Sequence, residues 1–178
     1  SRDPVQLEHP KIPNAATLTG PRAEAIYQAV RGQLRKSYLQ AGDPIAEAYQ
    51  NWRRFNRTPN HGERFVNHYG NPEATGYAKF GNLSPLPDSA IVIKDSFTIT
   101  HNGNLTSGPF FMMEKMPIGF PSAAGTWRFM MLRGDGTLVG ITGGVGAKNV
   151  RFCAECHKNA GAKHDYLFFM PREARPTS

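Results

Sequence analysis

The spacing of apolar positions changes character once along the chain, close to residue 60. Upstream, Ala23, Ile26, Tyr27, Val30, Leu34 and Tyr38 recur at three-to-four spacing, the stripe of a helix with one buried face. Gly20-Pro21 supplies a start and Gly42 a stop, with Gly32 a slightly weakening interior residue. Asp43-Pro44 repeats the start signal, and Ile45, Ala48, Tyr49 and Trp52 predict a second, shorter helix ending near Arg54. The two make a helical hairpin spanning residues 21–58. Residues 1–20, with Pro4, Pro10 and Pro13 and no apolar period, read as an extended arm, lying on a surface or free.

Past residue 60 the period becomes two. Strands are predicted near 63–69, 90–99, 109–116 and 126–133, with a short helix from Asn71-Pro72-Glu73 to Phe80. Turns such as His101-Asn102-Gly103-Asn104 and the loop from Pro117 to Gly125 are too short for crossovers, so the sheet should be antiparallel. The fold class is therefore α+β: an antiparallel sheet packed with helices, organised as one domain over residues 1–178. A composition of 39% hydrophobic and 20% charged residues, with 11 Phe, 6 Tyr and 2 Trp, excludes a disordered chain. No apolar run approaches the ~18 residues of a membrane span. The net charge of +7 is scattered rather than clustered, which argues against nucleic acid and suits an acidic electron-transfer partner.

Both cysteines fall in Cys153-Ala154-Glu155-Cys156-His157, the C-x-x-C-H pattern of covalent c-type haem attachment. Two intervening residues let one helical turn offer both thiols to the vinyl groups on one porphyrin edge, and the adjacent histidine then reaches the iron. Cys153 and Cys156 are the expected thioether residues and His157 the axial ligand of a single haem c. A structural zinc site, a redox dithiol, a short strained disulfide and a chance surface pair are the alternatives. Zinc wants four ligands, and His9, His61, His68, His101 and His164 show no paired spacing. The dithiol would need an early strand-to-helix setting that this motif, behind a glycine-rich loop near the C-terminus, lacks. Haem attachment would imply export, hence a periplasmic location with the signal removed.

Helical class I cytochromes carry this motif near the N-terminus, whereas here it follows a β-rich region. The stretch from Arg64 resembles the cytochrome P460 / cytochrome c′-β family, through Arg64-Phe-Val-Asn, Asn71-Pro72-Glu73 with Tyr77, Ile91-Val-Ile-Lys94-Asp95, Gly125-Thr-Trp127, the C-x-x-C-H motif and Asp165-Tyr166-Leu-Phe168. It spans about 115 residues and makes residues 60–178 the haem domain; the region before 60 lies outside it. The resemblance implies a sheet packed with helices, a haem on the C-terminal motif, and frequent dimers. In P460 members a strand lysine is bonded to the porphyrin, and Lys94 stands at that place, followed by Asp95 where Glu is common. Arg64 resembles the family's distal arginine.

Each of these residues has a plainer explanation beside its functional one. Lys94 shares a face with Ala90 and Val92, where a charge is costly to bury; it is a special site residue or an edge-strand lysine that keeps its ammonium in water. Arg64 holds a ligand or propionate, or pairs with Glu63 or Asp95. Glu114, on a face with Phe110, Met112 and Met116, is a proton relay or an ion-pair partner of Arg128 or Lys115. Trp127, Phe129, Phe168 and Phe169 are expected to pack the haem, and His68 and His101 to be surface or turn residues. Three functions follow: oxidation of hydroxylamine at an open iron position, binding of nitric oxide without turnover, or electron transfer with Met112, Met113 or Met116 as sixth ligand. Expected partners are a small nitrogen compound and a redox partner such as another cytochrome.

Overall fold

A computed structural model describes residues 4–14, 18–55, 60–61, 64–78 and 85–168. Helix α1 (Gly20–Tyr38) carries the apolar stripe read from the sequence, and its Ala23, Ile26, Tyr27, Val30, Leu34 and Tyr38 are all buried. Gly42 ends the following 3₁₀ turn in the left-handed conformation, and the Asp43 side chain accepts from the Ile45 N–H to start α2 (Pro44–Ala48). The second helix is shorter than expected. It passes into a 3₁₀ turn at Tyr49–Asn51, and Arg54 lies in a strand rather than at a helix end. Residues 72–78 likewise form a 3₁₀ turn rather than an α-helix, and Phe80 lies outside the described residues.

Among the described residues eight strands form one antiparallel sheet: β1 (Arg53–Arg54), β2 (Asn60–His61), β3 (Arg64–Gly70), β4 (Ile91–Ile99), β5 (Leu105–Ser107), β6 (Phe110–Lys115), β7 (Trp127–Leu132) and β8 (Leu138–Ile141). The order is β1-β3-β4-β6-β7-β8, with β2 also on β3 and β5 also on β4. The four expected strands are β3, β4, β6 and β7; the other four are too short to show a period. The N-terminal arm adds to β5, with Leu7 N–H donating to Leu105 O and Ser107 N–H to Val5 O. Between β5 and β6 the chain passes so close to β4 that a Cβ at Gly108 would overlap Ser96 Oγ, so only glycine fits there. Helix α3 (Arg151–Lys158) contains the C-x-x-C-H motif.

Strand alternation divides the interior in two. On one face Phe65, Tyr69, Ile93, Phe97, Phe110, Met112, Met130 and Leu132 pack against α1 and α2; we call it the helical face. On the other, Val92, Met113, Trp127 and Phe129 pack with Val150 and Ala154 at and before α3; this is the motif face.

The helical face buries a carboxylate. Asp95 is fully inaccessible, and its Oδ2 accepts from Tyr27 OH at 2.6 Å and Tyr49 OH at 2.9 Å. Because Tyr27 spends its proton on Asp95, its oxygen accepts from Tyr69 OH at 2.5 Å. Arg54 sits over the Tyr27 ring, 4.6 Å from its centroid, and is held by both oxygens of Glu24 and by Asn67 Oδ1. Burial pushes Asp95 up to about 6, against the opposing pull of Tyr27, Tyr49, Arg54 and Asn67. It also pushes the Tyr27 and Tyr49 hydroxyls up, helped by the carboxylate charge, so they stay donors.

Raising Asp95 from 3.8 to about 6 means that the folded chain keeps a proton the unfolded chain has released between about pH 4 and pH 6. The stability that goes with this proton is fully present below pH ~4 and is lost as pH rises through 6, about 3 kcal/mol in all. Asp95→Asn should flatten this dependence, seen as a smaller difference between urea-unfolding free energies near pH 4 and near pH 7. Tyr27→Phe should steepen it, and should cost about 2 kcal/mol at neutral pH by removing a donor to a buried charge.

Candidate functional site

Helix α3 follows a 3₁₀ turn at Ala147–Val150 and docks by Val150 and Ala154, 1% and 6% exposed. Cys153 is half-buried and Cys156 exposed, and both are free thiols rather than a disulfide. Burial pushes the Cys153 thiol up to about 11, partly offset by the nearby Lys94 charge. The His157 ring lies 5.5 Å from Phe129 and 5.2 Å from Phe168, centroid to centroid.

His157 Nδ1 is 2.8 Å from the Tyr166 carbonyl. A carbonyl can only accept, so Nδ1 carries the proton and Nε2 keeps its lone pair for a metal. Burial holds His157 below the usual histidine range, the neutral form a metal needs, with the Tyr166 hydrogen bond opposing and Lys94 reinforcing. The carbonyl is placed by Asp165, whose Oδ2 accepts from Leu86 N–H, whose Oδ1 pairs with Lys115, and whose own carbonyl accepts from Trp127 Nε1. Asp165 and Tyr166 both have positive φ, 53° and 61°, a strained turn for non-glycine residues. Gly125 leaves room for it: a Cβ there would stand 2.6 Å from the Tyr166 ring.

The sheet beside the motif carries two adjacent rows on the motif face. One row, Gly70–Val92–Met113–Phe129, is buried. The next, His68–Lys94–Phe111–Met131, is only half-buried along its whole width although it lies on an inner face. A half-open row with Phe111 and Met131 at one end, beside a histidine with a free Nε2, is a surface a flat prosthetic group would cover. Lys94 lies close enough to Cys153, Cys156 and His157 for their charges to bear on one another. It stands on a central strand, so it is not an edge-strand lysine. Its Nζ is 5.6 Å from the Phe111 ring centroid, and among the described residues no carboxylate pairs with it. Desolvation holds its ammonium below the usual lysine range, with the two thiols opposing.

Other expected site residues are placed differently. Glu114 points to the helical face and pairs with Arg128, because β6 sends Phe111 and Met113, not Phe110, Met112 and Glu114, toward the motif. Met112 is on that same far side, in the core under α1. Arg64 is on the motif face but exposed, two residue pairs from Lys94; Asp95 faces away from it, and Glu63 lies outside the described residues. Trp127 and Phe129 are buried on the motif face. Phe168 is 46% exposed despite its contact with His157, and Phe169 lies outside the described residues. His101 is an exposed turn residue as expected, but His68 is not: it belongs to the half-open row. The sequence held the signal, since Arg64 and His68 are four apart on one strand and must share a face.

The residues fit a haem. Thiols at two positions of one helical turn, a histidine with Nε2 left to ligate, and the half-open Phe111 and Met131 beside them match its vinyl edge, iron and ring. Among the described residues no three His, Cys, Asp or Glu side chains converge as a metal cluster, so a four-ligand zinc site has no support. Fold and site together describe a cytochrome built on an antiparallel sheet rather than on a helical bundle. The family model described as cytochrome P460 matches residues 46–169, and the chain belongs to this haem-binding cytochrome family. The match begins at α2, upstream of Arg64, and leaves out α1. Comparison with individually curated proteins gave no match.

Asp165→Ala should cost about 3 kcal/mol in urea unfolding, because Lys115, 13% exposed, and Leu86 N–H lose their partner together. It should also loosen the Tyr166 carbonyl, which is read as a changed proximal-histidine signal by resonance Raman spectroscopy of the haem-loaded protein.

Proposed function

We propose that the protein is a periplasmic mono-haem c-type cytochrome that binds or oxidises small nitrogen compounds, hydroxylamine or nitric oxide, at an open iron position. The observation that carries this reading is the His157 Nδ1 contact with the Tyr166 carbonyl, which aims Nε2 away from its own backbone beside two free thiols. Cys153 and Cys156 would form the thioethers and His157 the axial bond. When bound, the haem would supply a ligand-binding iron and a route for electrons to an external acceptor. The chain's own residues then do the rest. Phe111 and Met131 offer apolar surface to the ring, Lys94 presents nitrogen at the periphery, and Arg64 offers a guanidinium at the open end of the face. The electrons would pass to a redox partner such as another cytochrome, and a homodimer is in keeping with the family resemblance.

Desolvation favours the neutral amine of Lys94, whose nitrogen could replace the hydrogen on a porphyrin-edge carbon, a two-electron oxidation that breaks one N–H and one C–H bond, releases two protons and draws on an external oxidant such as a peroxide. That supports the cross-linked, hydroxylamine-oxidising form over simple nitric oxide binding. The electron-carrier reading finds less support: Met112 lies on the far face, and Met113 is 5% exposed within the core.

Acid-acetone extraction of the mature protein should leave the haem on the polypeptide, and Cys153→Ala with Cys156→Ala should release it. Full extraction from the wild type would end the c-type reading. Lys94→Leu should keep the thioethers but return a red-shifted Soret band to that of ordinary high-spin c haem and abolish hydroxylamine oxidation. An ordinary wild-type spectrum, unmoved by the substitution, would select the nitric-oxide-binding form.

A further inference from the structure

We infer that the exposed side of helix α3 is the docking surface on which an acidic redox protein exchanges electrons with the proposed haem. The inference rests on that haem site and goes beyond it by naming the surface and the charge of the partner. Phe152 and Cys156 lie four residues apart on α3 and so share one side of the helix. Both are exposed, Phe152 by 53%, whereas Ala154 on the opposite side is buried against the sheet, and Cys153 and His157 are half-buried. By itself one exposed ring means little. Here it adjoins the thiol that would carry the porphyrin edge. A haem bonded to Cys156 Sγ has that edge at this surface, and because electron transfer slows steeply with distance, a partner gains most by docking on it.

The charge around this side of α3 is nearly of one sign. Between residues 148 and 163 the chain holds Lys148, Arg151, Lys158 and Lys163 against the single carboxylate Glu155. All four cations are exposed, and none forms an ion pair with a carboxylate among the described residues. On the helical face, by contrast, Arg35 pairs with Glu47 and Arg54 with Glu24. Asp165, the next carboxylate after Glu155, is held by Lys115. Part of the net charge of +7 is thus left uncompensated around the motif. An aromatic side chain flanked by unpaired cations has the make-up of an interface centre with a charged rim. Such a surface attracts a partner with an acidic patch and steers its approach, while a second copy of this chain would bring the same positive charge against it. One electron would pass from the reduced haem to the oxidised centre of the partner, with no bond made or broken and no proton moved.

An acidic blue-copper protein in its Cu(II) form serves as the probe, titrated calorimetrically into the ferric haem-loaded protein so that binding is read with no electron passing. Binding should weaken as salt rises. Lys148→Glu with Lys163→Glu should weaken it roughly tenfold at low salt, with the denatured mass and resting spectrum unchanged. In stopped-flow mixing of the reduced protein with the same probe, the electron-transfer rate should fall with this pair. Arg22→Glu with Lys36→Glu, exposed on α1 across the sheet, changes the net charge equally and should leave the affinity as in wild type. Phe152→Ser should weaken binding at every salt concentration. Equal losses from the two charge-reversed pairs would reduce the effect to net charge and overturn the assignment, as would no loss from the α3 pair. A wild-type dimer that the α3 pair dissociates would overturn it too, giving this side of the helix to a second copy of the chain. A wild type whose denatured mass carries no haem would instead overturn the proposed site itself, and this inference with it.

Discussion

Strand β4 carries two desolvated charged groups side by side, and the rest of the molecule is arranged around that fact. Lys94 and Asp95 are adjacent, so alternation sends one to each face of the sheet. Neither face can then be left as a bare apolar surface. Asp95 is fully buried and needs donors, which α1 and the turn after α2 supply as Tyr27 and Tyr49. Lys94 emerges where the apolar packing of α3 stops, and the row it belongs to stays half-open. A strand bearing both must be central and flanked on both sides, as β4 is by β3 and by β5 with β6.

The layer formed by α1 is consequently more than a cover. It lies outside the family match, yet it furnishes a direct donor to Asp95 and, through Tyr38 OH, a hydrogen bond to Gly108 O where the β5–β6 crossing meets β4. Packing alone would be served by Phe at positions 27 and 38. The Tyr27 hydroxyl is needed because a buried carboxylate without donors costs several kcal/mol, more than one hydrophobic contact returns, and the Tyr38 hydroxyl satisfies the buried Gly108 carbonyl. The network also ties β3 to β4, since Tyr69 of β3 donates to Tyr27, which donates to Asp95 of β4.

How much of this could be read from the sequence depended on whether the signal was periodic or relational. The helix stripe of α1 and the long strands were legible because each shows several repeats of its own period. Strands β1 and β2 have two residues each and β5 has three, too few to show any period. The C-x-x-C-H chemistry was legible because the spacing is itself the geometry. Glu114 was ambiguous, since either face of a strand rich in Phe and Met looks suited to a prosthetic group. Only the pairing with Arg128 and the position of α3 decide it. Tyr27 read as one more apolar stripe residue, because its partner Asp95 is 68 positions away. Asp165-Tyr166 stood out only through the resemblance, and the role of the Tyr166 carbonyl was not legible, because it depends on positive φ at two non-glycine residues and on the distant contacts of Asp165.

These relations give the site two unlike sides. Around His157 the parts are rigid: a strained turn, a buried ion pair, an indole N–H and a carbonyl all converge within the few residues from Asp165 to Tyr166. Such over-determination keeps the imidazole in one tautomer and one orientation. The half-open row is built differently: Lys94 Nζ lies 5.6 Å from the Phe111 ring centroid and His68 stands 6.4 Å from Tyr77. A tightly held His157 beside a half-open row is the arrangement the proposed open iron position would need. An electron carrier would instead need a sixth ligand on that side, and under the proposed reading Met112 cannot supply it from the helical face, while Met113, although on the motif face, is 5% exposed within the core.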